Sequence, residues 1–166
     1  MRRAAVAGAL VVAAPLVAFW VYHAPEAALA RFVTYGPSPG RIVAECHLTD
    51  PLILSGRRVV PLVLEAIEDR AFPRRRYAIG FLGNGGYPEA VPGLRRILED
   101  DAEDELFRGD ALDALDEIDR ELAARLARDY VGRDDSLGRV ARDVANGTPR
   151  RGPRRTWFDA LFHRSS

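Results

Sequence analysis

No lysine and no glutamine occur in this 166-residue chain, so all 24 of its basic residues are arginines. That bias reflects a GC-rich genome and points to no function. Cysteine is nearly absent as well. Cys46 stands alone, which excludes an intrachain disulfide and any structural zinc site built from several thiolates. Neither sign of charge is in excess, because 24 acidic residues balance the arginines. A chain that is 48% apolar and 29% charged is not disordered throughout, and its length suits one modest domain with appendages. The balanced total hides a segregation along the chain. Residues 99–121 hold twelve acids against two arginines, whereas residues 150–166 hold five arginines and one aspartate. An acidic helical middle and a basic tail follow.

What is present, twice, is a short pattern. Arg75, Ala78 and Leu82 are echoed 33 residues later by Arg108, Ala111 and Leu115. Each copy is preceded by a Val-Pro helix start, Val60-Pro61 and Val91-Pro92, 31 residues apart, so the connecting turn has gained two residues. Apolar positions recur at helical spacing within each copy: Val60, Val63, Leu64, Ile67, then Tyr77, Ala78, Phe81, Leu82. Leu94, Ile97, Leu98, then Leu106, Ala111, Leu112, Leu115 follow the same rule. This spacing predicts helices over residues 57–69, 73–82, 88–100 and 104–118, with the glycines at 83, 85 and 86 breaking the second. A third, degenerate pair is expected. Leu122, Leu126 and Tyr130 lie on one helix, and Leu137, Val140, Ala141 and Val144 on another that starts at Ser136 and stops at Asn146-Gly147. Thr49-Asp50-Pro51 reads as a capped start for a short leading helix to residue 54 or 55.

Units of this size cannot bury their apolar faces alone and must stack on one another. The fold expected is all-α: a short α-solenoid of two clear helix pairs and one degenerate pair, preceded by a transmembrane or signal helix. Over residues 57–118 the pattern resembles the HEAT family, in particular the short HEAT-like repeats also found in phycobilisome lyases. The resemblance rests on Val60-Pro61 and Val91-Pro92, the acidic helix ends Asp69 and Asp100, and the two Arg-Ala-Leu sets. It implies an α-solenoid scaffold and no reaction. It also implies that Arg75 and Arg108 each pair with a neighbouring helix-end acid such as Asp69 or Asp100.

The amino-terminal segment carries a second message. Arg2 and Arg3 precede residues 4–22, nineteen residues without a charge that close on Trp20 and Tyr22. At about 1.5 Å per residue such a helix nearly matches a hydrocarbon core of roughly 30 Å. Residues 1–23 are therefore expected to be a transmembrane anchor with the main domain outside the cytoplasmic membrane. The alternative is a signal cleaved at the Ala28-Leu29-Ala30 site, giving a secreted or periplasmic protein. Residues 24–48, with Pro25, Pro37 and Pro39, read as a juxtamembrane linker. Residues 49–147 are the repeat domain and 148–166 a basic aromatic tail. Glu45 spoils a lipid-attachment site at Cys46.

Candidate sites are few. Glu45-Cys46-His47 sets a thiol beside an imidazole, but neighbours in an extended chain point to opposite sides. The glycines after Leu82 end a helix rather than opening one, unlike a phosphate loop. No catalytic residue, cofactor site or metal site is assigned, and the chain is read as a non-enzyme. Asp110, Asp113 and Glu117, at i, i+3 and i+7, gather three carboxylates on one helical face that suits a basic partner or the chain's own tail. In the tail, Trp157, Phe158 and Phe162 form an apolar stripe among arginines, suited to a partner groove, to anionic lipid or to covering the last helix pair. These six residues are the candidate contacts. The functional expectation is a membrane-anchored interaction or assembly scaffold in a bacterial envelope. It has an unknown protein partner, membrane contact through the N-terminal helix and no nucleic acid. The alternatives are a bilin-lyase-like ligand-handling enzyme and a cytoplasm-facing adaptor of the same fold.

Overall fold

A computed structural model describes residues 17–34, 47–148 and 154–162. Among these residues the chain is all-helical, without strands. Residues 17–22 are helical, and nine helices follow: α1 (Pro25–Thr34), α2 (Asp50–Ser55), α3 (Val60–Glu68), α4 (Arg75–Gly85), α5 (Val91–Glu99), α6 (Glu105–Ile118), α7 (Arg120–Ala127), α8 (Ser136–Ala145) and α9 (Trp157–Leu161).

The two repeat copies match in detail. Both α3 and α5 begin on Val-Pro, where the missing proline N–H would have had no intrahelical partner. Each is preceded by one tight 3₁₀ turn, Gly56–Val59 and Pro88–Ala90. Each ends at an aspartate with extended backbone, ψ 111° at Asp69 and 103° at Asp100. The Asp69 carboxylate then accepts from the Ala71 N–H at 2.9 Å, and Asp100 accepts from the Ala102 N–H at 3.0 Å. Such Asx turns hand the freed backbone group a partner and redirect the chain.

The second helices differ more. Pro73 and Arg74 delay α4 until Arg75. Arg74 takes the left-handed conformation at φ 63°, a strained choice for a residue with a side chain, and its guanidinium donates to the Phe32 carbonyl at 2.5 Å. In the second copy Asp104 caps α6 directly, accepting from the Leu106 N–H at 2.8 Å. The glycine run does not break α4 at Leu82 as expected; the helix continues to Gly85. Only Gly86 turns left-handed, with φ 62° and its N–H donating to the Gly83 carbonyl at 2.9 Å. Gly83 serves packing instead: a Cβ there would lie 2.7 Å from the Cα of Ala114, so its absence lets α4 and α6 approach.

Helix α6 is the hub, packing on α4, α5, α7 and α8. Ala111, Leu112, Ala114 and Leu115 are fully buried there, opposite Ala78, Ile79 and Leu82 of α4 and Leu94 and Leu98 of α5. The two helices of the third pair form, but the first ends at Ala127 and leaves Tyr130, read as part of it, in the turn that follows. Asp119 caps α7 and Asp135 caps α8, the latter accepting from the Gly138 N–H at 2.9 Å. Helix α8 ends where Gly147 takes φ 67°. Helix α2 also forms, though the Thr49 side chain makes no cap bond.

Two readings of the amino-terminal region need correction. Residues 24–34 are not a linker: α1 buries Ala28 and Phe32 completely, against α2, α3 and the turn between them. The single-pass anchor is also not supported. Among the described residues no helix is long and apolar enough to cross a membrane, which would require about 20 consecutive apolar residues in one helix. The helix over 17–22 stops at His23, and the chain restarts at Pro25 in α1, whose Glu26 and Arg31 are charged. Residues 4–16 of the apolar run lie outside the described residues. The Ala28-Leu29-Ala30 site lies within α1, with Ala28 fully buried.

Candidate functional site

The repeated arginines are interior struts. Arg75 Nε donates to the Ile67 carbonyl at 2.6 Å and Arg108 Nε to the Leu98 carbonyl at 2.9 Å, in each case satisfying the open end of the preceding helix. Each guanidinium also faces an aromatic ring of the following helix pair, Phe107 at 5.0 Å and Tyr130 at 5.5 Å. Their acidic partners are Glu103, 2.7 Å from Arg75, and Asp101, 2.9 Å from Arg108. Asp69 and Asp100 are not those partners: Asp100 pairs with Arg70 at 2.5 Å, and Asp69 closes its own turn. Pairing with acids between the helices is therefore right in kind and wrong in residue.

The three carboxylates of the acidic face do not act as one solvated surface. Asp110 pairs with Arg76 of α4 at 2.8 Å. Asp113 is buried, and both line a charged cleft of about 180 Å³ with Ser136 and Arg139. One turn further on, Glu117 meets the tail, its carboxylate 3.1 Å from Arg154 Nε and its carbonyl accepting from Nη2 at 2.5 Å. Nearby Asp116 lies above the usual carboxylate range because burial disfavours its charge.

The tail folds back across the array. Arg155 donates to both Asp50 oxygens, at 2.7 and 3.0 Å, and its Nη2 lies 2.7 Å from His47 Nδ1. Both members of the Arg155–Asp50 pair are buried. Thr156 and Asp159 then form a reciprocal capping box that starts α9, which packs through Ala160 against α2. The tail thus covers the leading helix rather than the last pair.

This route carries Trp157 to the helix over 17–22. The Phe19 and Trp157 rings meet edge-on at 6.3 Å. Both elements expose large apolar side chains: Trp20 is 57% exposed and Val21 66% on the first, with Val17 and Tyr22 also exposed, and Phe158 65% and Phe162 62% on α9 and its end. Two arginines flank it. Arg58 sits 4.2 Å from the Trp20 ring centre and Arg31 3.7 Å from that of Tyr22.

Set against protein-family models, curated proteins and solved structures, the chain matches none.

Of the six candidate contacts, the structure sets Trp157 against Phe158 with ring centres 5.5 Å apart, leaves Phe162 exposed at the end of α9, and places Asp110, Asp113 and Glu117 elsewhere, in intramolecular pairs and a cleft. Sequence reasoning missed Trp20, Val21, Arg31 and Arg58 as parts of this face. The aromatics at 20 and 22 are visible but read as the close of a membrane-spanning run, and no spacing rule brings Arg58 to a residue 38 positions earlier. Cys46 and Glu45 lie outside the described residues. His47 is within them, held by Asp50 at 3.1 Å. Among the described residues no group of three His, Cys, Asp or Glu side chains is arranged to hold a metal ion.

Proposed function

We propose that the chain is a protein-interaction module: a short HEAT-like array of helix pairs that presents the aromatic face of residues 17–22 and α9 to a partner protein. The observation that carries this reading is the exposure of Trp20, Val21, Phe158 and Phe162 on two elements that the Phe19–Trp157 ring contact joins. Keeping large apolar side chains in water costs free energy, and contiguous patches of them mark contact sites. Aromatic residues and arginine are the types enriched at interface centres. Stacked helix pairs supply a rigid frame, and the interior use of Arg75 and Arg108 as struts supports a scaffold role for the repeats rather than a chemical one.

The test is co-purification from the native source with the full chain as bait, wild type against Phe158→Asp/Phe162→Asp. Both side chains are more than half exposed, so the double variant should keep its melting temperature while losing any stoichiometric partner. A partner retained equally by both forms would refute the reading.

A further inference from the structure

At the turn between the helix over 17–22 and α1 lies a small cationic cluster that the described residues leave without a carboxylate. His23, in that turn, is 6% exposed, and its Nδ1 is buried without a hydrogen-bond partner. Arg31 Nη2 is likewise buried and unpartnered. Arg58 spends its donors on the carbonyls of His23 at 2.9 Å and Ser55 at 3.4 Å. Among the described residues neither Arg31 nor Arg58 has a carboxylate partner. Elsewhere the chain pairs its arginines readily: Arg57 with Glu89, Arg70 with Asp100, Arg76 with Asp110 and Arg155 with Asp50. Two cations and a buried imidazole, with sealed nitrogens lacking partners, carry a desolvation penalty that a bound anion would relieve.

We propose that Arg31, His23 and Arg58 receive a carboxylate from the partner protein, an acidic side chain set beside an apolar one that packs on Trp20 and Val21. This rests on the interaction-module reading and gives the partner a chemistry. Charge complementarity selects an acidic segment, and arginine forks are shaped for carboxylates. Tyr22, exposed and stacked on the Arg31 guanidinium, is the group that must swing aside. Its cation–π contact is exchanged for charge-assisted hydrogen bonds of greater strength.

His23 reports occupancy. Burial first, then the charges of Arg31 and Arg58, hold its imidazole below the ordinary histidine range. A carboxylate docked on the two arginines cancels their repulsion and moves the titration midpoint up from its position in the free chain. The experiment follows the His23 ring signals of the full chain by NMR during titration with acetyl-Leu-Glu-amide. Acetyl-Leu-Gln-amide, inorganic phosphate and phosphatidylglycerol vesicles are the comparison ligands. The acidic peptide should raise the His23 midpoint, and the glutamine peptide should not. Arg31→Gln/Arg58→Gln should weaken the response at least tenfold while keeping the far-ultraviolet circular dichroism of the wild type. Equal responses to the two peptides overturn the proposal. So does a response to phosphate or vesicles at lower concentration than to the peptide. If the peptide fails while the native partner is still lost from Phe158→Asp/Phe162→Asp, the carboxylate receptor falls and the interaction face stands.

Discussion

Arg75 and Arg108 occupy the same repeat position, yet replacing each by methionine should have unequal consequences. Both guanidiniums are almost fully buried, and both satisfy a carbonyl at the end of the preceding helix. The difference lies in the acid left behind. The Glu103 side chain is 6% exposed, whereas that of Asp101 is 90% exposed. Arg75→Met strands a buried carboxylate, for which breaking a buried pair costs about 3–5 kcal/mol. Arg70 Nε, 3.7 Å from Glu103, tempers this to the low end, about 3 kcal/mol. In Arg108→Met the Asp101 carboxylate returns to water, and the loss reduces to one orphaned carbonyl, about 1–2 kcal/mol. For a domain of this size about 2–4 °C of melting temperature corresponds to each kcal/mol. Calorimetry should therefore show losses of roughly 6–12 °C for Arg75→Met and roughly 2–8 °C for Arg108→Met. Adding Glu103→Met to Arg75→Met removes the stranded charge and should recover at least half of the deficit, because hydrophobic replacement of a whole buried pair is often neutral. An Arg108→Met loss equal to or larger than that of Arg75→Met would refute the assignment of partner burial as the deciding factor.

Three further outcomes are expected. Gly83→Ala gains about 1 kcal/mol of helix propensity, but the new Cβ would lie 2.7 Å from the Ala114 backbone. Overpacking of about 1–3 kcal/mol should win and lower the melting temperature, whereas Gly132→Ala, with nothing within 4 Å, should be harmless; a stable Gly83→Ala would show that α4 and α6 are not in close contact. Arg155→Leu strands the buried Asp50 and should cost about 3 kcal/mol, releasing the tail to limited proteolysis; unchanged protection would mean that the Arg155–Asp50 pair does not hold it. Asp116 is the pH-dependent case. Its pKa is raised on folding, so its contribution to stability is full below the unfolded value of about 3.9 and is lost as pH rises through the folded value. Asp116→Asn should accordingly raise the melting temperature at neutral pH, with a gain that shrinks on acidification. A gain that is constant with pH would exclude desolvation of the carboxylate as its cause.

Much of the frame was legible in the sequence because helix starts and stops are local chemistry. Val-Pro openings, Asp caps before α6, α7 and α8, and the glycine after α8 act within a few residues of themselves. The apolar stripes then follow from a 3.6-residue period that any single helix displays. The same locality explains the failures. A run of uncharged residues looks like a membrane span unless one sees that Phe19 meets Trp157 and that the next helix packs into the core. Glycine after leucine looks like a stop unless one sees Ala114 pressed against Gly83.

The sequence by itself determined the helical class, the repeat and the helices of the third pair. Only the tertiary structure decided where the charges and aromatics go. It sent Arg75 and Arg108 inward, spent Asp110 and Glu117 on the chain's own arginines, returned the tail to α2, and set Trp157 beside Phe19. The physical reason is range. Caps and periods are settled by contacts a few residues apart. Which carboxylate meets Arg155, and which ring meets Phe19, depends on side chains 105 and 138 positions apart that only packing brings together.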